Sequence, residues 1–353
     1  MTSETYNRAF GDTVMRPTTK DLAKAAGVSR ATVDRVLNGR EGVKKHTVEK
    51  VNAAIEELGF VRNIAAANLA KSRTYRFLFA LPKSGDQFRD EILKHIAEAN
   101  SLYVADMVSI DVHPIDENDP HTIAAFLGTL TRETVDGVAI MAPETPQVRD
   151  AINRLQERGV HAVPFVSNQP LTGDHWVGID NTAAGETAAT LMGRFLPRQP
   201  GKLLVIADSL QSRDSLERRS GFDRVINASF PHLETLPSLE TYGHEDRAHQ
   251  IIAATFRYHR DIVGVYILSS EARVPLDAIR RTTAPESAVI IAHERTRCTL
   301  EALADGTLDA VITQDPGHLV RSAVRKLRAL TDARTTLKSQ EKIRIEILLK
   351  TNV

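Results

Sequence analysis

From residue 76 to the C-terminus, short apolar runs alternate with amphipathic stretches of helical length, and this alternation restricts the fold more than any other feature of the chain. The runs are RFLFALP (76–82), MVSIDVHP (107–114), DGVAIMAP (136–143), HAVPFV (161–166), KLLVIAD (202–208), IVGVYIL (262–268), AVIIAHE (288–294) and DAVITQD (309–315). They have the length of strands rather than helices, and their near-continuous apolarity indicates burial on both faces. Helical periodicity predicts helices over 88–102, 121–131, 146–158, 183–196, 214–229, 246–258, 275–281, 295–304 and 317–330. Strands alternating with such helices call for parallel sheets built from βαβ units. Eight strands can make one sheet. The reading adopted is two doubly wound lobes, with a ligand cleft outside the carboxyl ends of the strands.

Residues 16–60 have a different character: short helical patterns, many alanines and hardly any strand signal. They follow a polar, aperiodic segment, 1–15, expected to be a disordered tail. An alanine-rich connector, VRNIAAANLAKSRTY (61–75), leads to the larger domain, 76–353. Its first lobe is expected over about 76–180 and 312–338, and its second over about 181–311 and 339–353. Lys plus Arg equals Asp plus Glu at 45 each, but the charge is unevenly spread. Residues 16–76 hold 13 basic and 6 acidic side chains, which leaves 32 basic and 39 acidic elsewhere. A basic head on an acidic body is the pattern expected when only the head meets a polyanion.

Within the head, PTTKDLAKAAGVSRATVDRVLNG (17–39) reads as two short helices. Thr18 and Asp21 have the spacing of a capping box, and Leu22, Ala23 and Ala26 give the first helix an apolar side. Gly27 ends it, since glycine enters the left-handed region without steric cost. Ser29 is placed to cap a second helix, in which Val33, Val36 and Leu37 share one face. A third helix over 46–58 carries Val48, Val51, Ile55 and Leu58. Two helices joined at a glycine and backed by a third form a helix-turn-helix, whose second helix enters the major groove. Arg30 and Arg35 are then the base readers, because a guanidinium donates two bonds to guanine O6 and N7. Thr18, Thr19, Ser29, Ala31, Thr32, Asn38, Lys44, Lys45 and His46 are expected at the DNA surface, the polar ones mainly on phosphates.

This segment resembles the LacI/GalR family of regulators, whose members read close to T-x-K-D-V-A-x-x-A-G-V-S-x-x-T-V-S-R-V-L-N. The match runs through Thr18, Lys20, Asp21, Ala23, Ala26–Ser29, Thr32, Val33 and Arg35–Asn38, and continues to Gly59. Asp34 replaces the usual serine. Facing DNA, it either accepts from a cytosine amino group or pairs with a neighbouring arginine. The resemblance implies a homodimer on a palindromic operator in double-stranded DNA, consistent with matching two-fold symmetries. It also implies that the connector forms a hinge helix whose Leu69 wedges into the central minor groove. Arg62 and Ala67 depart there from a common proline and arginine.

For the larger domain the resemblance implies a type I periplasmic-binding-protein fold, closing on a small effector such as a sugar or polyol. The positions it assigns to the effector are Phe88, Asn168, Gln169, Arg218, Ser270, Glu271 and Gln314. Asn168 and Gln169 stand where sugar-binding relatives often carry an Asp-Arg pair, and Ser270 replaces a common aspartate. Asp180 and Asn181 are read as helix caps. Arg218 remains open between an effector contact and a surface charge.

The fold expected is therefore an all-α helix-turn-helix domain followed by an α/β two-lobed domain with doubly wound parallel sheets. The function expected is a DNA-binding transcriptional regulator, read as a repressor, under allosteric control by its effector. The alternative is a solute-binding protein of the transport class. The first fifteen residues lack a signal-peptide pattern, no run approaches a membrane span, and the single cysteine, Cys298, forms no intrachain disulfide. These features point to the cytoplasm. The twelve histidines show no metal-ligand spacing, and neither a nucleophile elbow nor a phosphate loop occurs. His293 and Glu294, at the end of one run, resemble an acid–base pair but more commonly line a cleft. No metal, cofactor or enzymatic activity is expected.

Overall fold

The computed structural model describes residues 17–37, 42–58, 60, 74–83, 86–169, 175–282 and 288–353. The chain divides into two compact units, Met1–Arg73 and Thr74–Val353. The expectations for the tail at 1–15, for Asn38 and for the hinge with Leu69 fall outside the described residues.

The first unit holds α1 (Thr19–Ala26), α2 (Arg30–Leu37) and α3 (Lys45–Leu58). Thr18 and Asp21 form the capping box: the Thr18 hydroxyl donates to Asp21 Oδ2 at 2.7 Å, and its oxygen accepts from the Asp21 N–H at 3.4 Å. The Thr18 hydroxyl and backbone N–H together hold the Asp21 carboxyl below its usual range. Gly27 closes α1 at φ 63°, ψ 35°, a conformation that costs a residue with a Cβ about 1–2 kcal/mol. Leu22, Ala23, Ala26, Val33, Val51 and Ala54 form one small core, joined by Phe60, whose place just beyond α3 the helical pattern does not reveal.

In the second unit all eight expected strands are present. They are β1 (Tyr75–Pro82), β2 (Val108–Ile115), β3 (Gly137–Ile140), β4 (His161–Pro164), β5 (Gly201–Ala207), β8 (Ile262–Ile267), β9 (Val289–His293) and β10 (Ala310–Thr313). Three short strands add to them: β6 (Leu233–Thr235), β7 (Leu239–Glu240) and β11 (Glu346–Leu348). The strand count of eight is thus corrected to eleven among the described residues. The extra strands are two or three residues long and carry no periodic signal.

The helices are α4 (Gln87–Tyr103), α5 (Pro120–Thr129), α6 (Pro146–Glu157), α7 (Asn181–Phe195), α8 (Arg213–Ser229), α9 (Glu245–Tyr258), α10 (Arg273–Arg280), α11 (Arg297–Asp305), α12 (Pro316–Thr331) and α13 (Lys338–Glu341). One sheet has the order β2-β1-β3-β4 and is parallel throughout. The other has the order β11-β10-β9-β8-β5-β6, with β7 also pairing to β5. It is parallel except for β11.

The period of two along each strand distributes side chains between separate cores. In β5, Leu203, Val205 and Ala207 face one core and Leu204 and Ile206 another. In β9, Ile291 and Ile290 divide in the same way. Both faces of these sheets are covered, which is why the strands read as continuous apolar runs. The parallel register aligns the strand ends, so Asp208, Leu268, Glu294 and Gln314 follow β5, β8, β9 and β10 along one edge.

Candidate nucleic-acid interface and effector cleft

In the first unit, α2 turns Val33 fully into the core and leaves Arg30, Ala31, Asp34 and Arg35 exposed. Lys44, Lys45 and His46, at the start of α3, are exposed as well, and Thr19 is half-buried. The Ser29 oxygen accepts from the Thr32 N–H at 3.1 Å, and the two hydroxyls lie 2.8 Å apart. Ser29 therefore caps α2 and fixes the direction in which the helix presents its arginines.

In the second unit the central object is Arg218, on the inner face of α8. Its Nε donates to Asn181 Oδ1 at 2.9 Å, Nη1 to the Leu268 carbonyl at 2.9 Å, and Nη2 to Glu294 Oε1 at 2.9 Å. The side chain is 2% exposed, which excludes the surface-charge reading. Asn181 is corrected likewise: Asp180 caps α7 by accepting from the Ala183 N–H, while Asn181, in the first turn, holds the guanidinium. The close approach of α7 and α8 depends on two glycines. A Cβ on Gly221 would lie 2.1 Å from the Thr182 carbonyl oxygen, and one on Gly185 would lie 2.0 Å from that of Arg218.

Glu294 completes the group. Its φ of 64° puts a non-glycine residue in the left-handed region, a strain found mostly where the surroundings over-determine the backbone. Here its N–H donates to the Ile312 carbonyl at 2.8 Å, and its own carbonyl accepts from Thr299 Oγ1 at 2.8 Å. Gln314 Nε2 also donates to Glu294 Oε1, at 3.1 Å. Burial, only partly countered by Arg218, pushes the Glu294 carboxyl above its ordinary range. Glu294 Oε2 and Gln314 Oε1 are buried and have no hydrogen-bond partner among the described residues. His293 is not its acid–base partner: its Nε2 lies 2.7 Å from the Tyr266 hydroxyl, and burial followed by the charge of Arg218 lowers its basicity well below normal.

The two lobes touch at this edge. Ser270 Oγ donates to Asp86 Oδ2 at 2.5 Å, the Cys298 N–H donates to Gln87 Oε1 at 2.9 Å, and Arg213 Nη1 donates to Glu144 Oε2 at 2.6 Å. Asp86 also caps α4 through the Arg89 N–H at 2.7 Å. Nearby, a cavity of about 600 Å³ opens between α4 and the segments after β9 and β10, with His95, Arg295 and Gln314 on its wall.

Of the other expected effector residues, Gln169 is buried, with Nε2 donating to the Ala142 carbonyl at 3.0 Å. Asn168 is half-buried and its Oδ1 has no partner among the described residues. Glu271 accepts from the Arg273 N–H at 2.7 Å. Phe88 requires a correction. Its ring is 1% exposed and belongs to the core, because Phe88, Ile92 and Ile96 recur every four residues along the inner face of α4. The sequence reading missed Asp86, Asp208 and the pairing role of Glu294. Only Asp86 carries a signal, as an acidic residue just before a helical stretch.

Among the described residues, no helix is long and apolar enough to cross a membrane, and no group of three or more His, Cys, Asp or Glu side chains is placed to hold a metal ion.

A two-lobed α/β unit with polar side chains gathered at the strand ends is the architecture of a binding protein. The chain belongs to the family described as periplasmic binding protein domain, whose model matches residues 77–335. Ahead of that domain it carries a helix-turn-helix of the LacI type: the model described as bacterial regulatory proteins, lacI family, matches residues 18–63. A stretch of 147 residues is 33% identical to the HTH-type transcriptional regulator RegA of Clostridium saccharobutylicum, covering 41% of this chain and 43% of that protein. The chain spans about half the length of the curated relatives it matches.

Among solved structures, a solute-binding protein of Burkholderia graminis in complex with D-arabinose superposes with a TM-score of 0.68 at 22% identity, covering 79% of this chain and 96% of that one. The glucose-galactose binding protein GanP of Geobacillus stearothermophilus gives a TM-score of 0.69 at 16% identity, covering 80% and 99%. These likenesses establish the fold of the second unit.

Proposed function

We propose that the protein is a transcriptional regulator that binds a specific DNA sequence through α2 and changes its affinity when a small polyhydroxy effector occupies the cleft of the second unit. The observation that carries this reading is the exposed pair Arg30 and Arg35 on a capped helix, in a separately cored unit on the same chain as a binding-protein fold. A transport-class binding protein has no use for such a head. The regulator relative supports the DNA arm, and the arabinose complex of a protein with this fold supports the class of effector.

On this reading Arg30 and Arg35 contact bases, while Thr19, Lys44, Lys45, His46 and Asn38 contact phosphates. Ser29, Thr32 and Thr18 position the helices that carry them. The chain acts as a homodimer on a palindromic operator, with Leu69 at the minor groove, and works in the cytoplasm on the nucleoid. Arg218, Glu294, Gln314, Asn168, Gln169, Ser270 and Glu271 belong to the effector cleft, and Phe88 supports it from the core. The protein acts by binding and catalyses no reaction.

The test is a gel shift of the full chain against genomic fragments upstream of its own gene, with and without sugars. One fragment should be retarded, and an effector should change its affinity by about 5–150-fold, the usual range of allosteric coupling. Retardation of every fragment alike, at moderate salt, would contradict specific regulation.

A further inference from the structure

Charge at the carboxyl edge of the second sheet is unbalanced. Three carboxylates stand there, Asp208 after β5, Glu271 after β8 and Glu294 after β9, and a fourth, Asp86, reaches them from the first lobe, where it precedes α4. Asp208 and Glu294 follow β5 and β9, whose ends the parallel register aligns through β8, and Glu271 adjoins Ser270, which reaches Asp86; the four are close enough for Asp86 to raise the other three carboxyls by repulsion. The 2.5 Å bond from Ser270 to Asp86 brings the two lobes' contributions together. Arg218 compensates Glu294. Among the described residues, no ion pair joins Asp86, Asp208 or Glu271 to a lysine or arginine: the Arg273 guanidinium acts on Glu271 only from a distance and is itself paired with Glu245 at 2.9 Å, and the Arg89 guanidinium lies 3.8 Å from Asp90.

A second, independent observation points to a ligand. Glu294 is 1% exposed at its side chain, yet among the described residues its Oε2 has no partner. Gln314 Oε1, beside it, has none either. A buried carboxylate oxygen left without a donor is costly, and a cleft that closes on a ligand removes the water that would serve instead. Neutral hydroxyl groups can donate to these oxygens, but they add no positive charge to a group of carboxylates of which only Glu294 has an ion pair among the described residues. An ammonium group donates three hydrogens and cancels charge as well.

We propose that the effector is a polyhydroxy molecule bearing a protonated amine, an amino sugar or aminopolyol, whose ammonium group is received by Glu294 Oε2 with Asp86, Asp208 and Glu271 around it. The inference rests on the reading that a sugar-like effector occupies this cleft, and it specifies the charge of that effector.

The experiment measures binding to the full chain, by thermal shift and calorimetry at pH 7.5, with D-glucosamine and D-galactosamine, their N-acetyl derivatives and the parent neutral sugars. The free amines should bind roughly tenfold more tightly than the neutral forms, as one ion pair at a partly buried site provides. Glu294→Gln should abolish most of that preference. Glu271→Gln, at a half-buried position where the fold is not at stake, should reduce it several-fold. Neutral sugars binding as tightly as amines would overturn the cationic effector and leave the sugar reading standing. Silence from every sugar, amine-bearing or not, would overturn both.

Discussion

The guanidinium of Arg218 and the carboxylate of Glu294 meet at 2.9 Å with side chains 2% and 1% exposed, joining a helix to the end of a strand 76 residues away in sequence. A pair this deep is held by its neighbours as much as by its own attraction. Asn181 and the Leu268 carbonyl accept from Nε and Nη1 of the guanidinium, and Gln314 adds a second donor to the same carboxylate oxygen. Removing either member alone strands a buried charge, whereas removing both does not. Arg218→Met is therefore expected to destabilise the second unit by about 3–5 kcal/mol. Arg218→Met combined with Glu294→Leu should cost clearly less than the two single changes summed. Urea denaturation of the four proteins in a double-mutant cycle measures this, and strict additivity would show that the two side chains are not coupled.

Gly221 is one turn of α8 beyond Arg218, and its missing side chain lets α7 pass close by. In Gly221→Ala the new methyl meets the Thr182 carbonyl, which forces the helices apart and draws Arg218 away from Asn181. The expected cost is about 1–3 kcal/mol, typical of overpacking, with a concurrent loss of effector binding. Denaturation and calorimetry on the same variant check both effects. Unchanged effector affinity would separate the helix contact from the cleft.

His293 gives the second unit a pH dependence with a definite sign. Burial, then the charge of Arg218, depresses its folded-state pKa well below the ordinary value of 6.5. As pH falls through that ordinary value the unfolded chain takes up a proton that the folded chain refuses, so stability is lost on acidification. From pH 7.5 to 5.5 the loss from this one group is about 1.4 kcal/mol. His293→Gln, which keeps a polar group for the Tyr266 hydroxyl, should show a correspondingly shallower decline between the same two pH values. Parallel declines in variant and parent would show that His293 titrates alike in the folded and unfolded chain, against its burial.

The legible and illegible parts of this chain differ in how far apart the cooperating residues stand. Runs such as KLLVIAD and AVIIAHE announce strands because burial on both faces leaves no room for polar residues. The capping box at Thr18 and the glycine at 27 announce α1 because their effects are local. Nothing local couples Asp86 to Ser270, 184 residues later, or Arg218 to Glu294. Those relations exist only once parallel pairing has aligned the strand ends. Phe88 shows the opposite error: a position that suits an aromatic over a cleft also suits an inner helix face, and the spacing to Ile92 and Ile96 decides for the core. Glu294 in the left-handed region has no local signature either, because the bond that holds its N–H goes to the Ile312 carbonyl in β10.

The central claim is that α2 reads bases, and Arg35→Ala tests it most directly. The measurement is the affinity of parent and variant for the retarded upstream fragment and for random-sequence DNA at one salt concentration. Loss of a bidentate contact to guanine should weaken specific binding by about 1–3 kcal/mol, while nonspecific binding falls much less. Equal losses on both kinds of DNA would contradict the claim and reduce Arg35 to a phosphate contact.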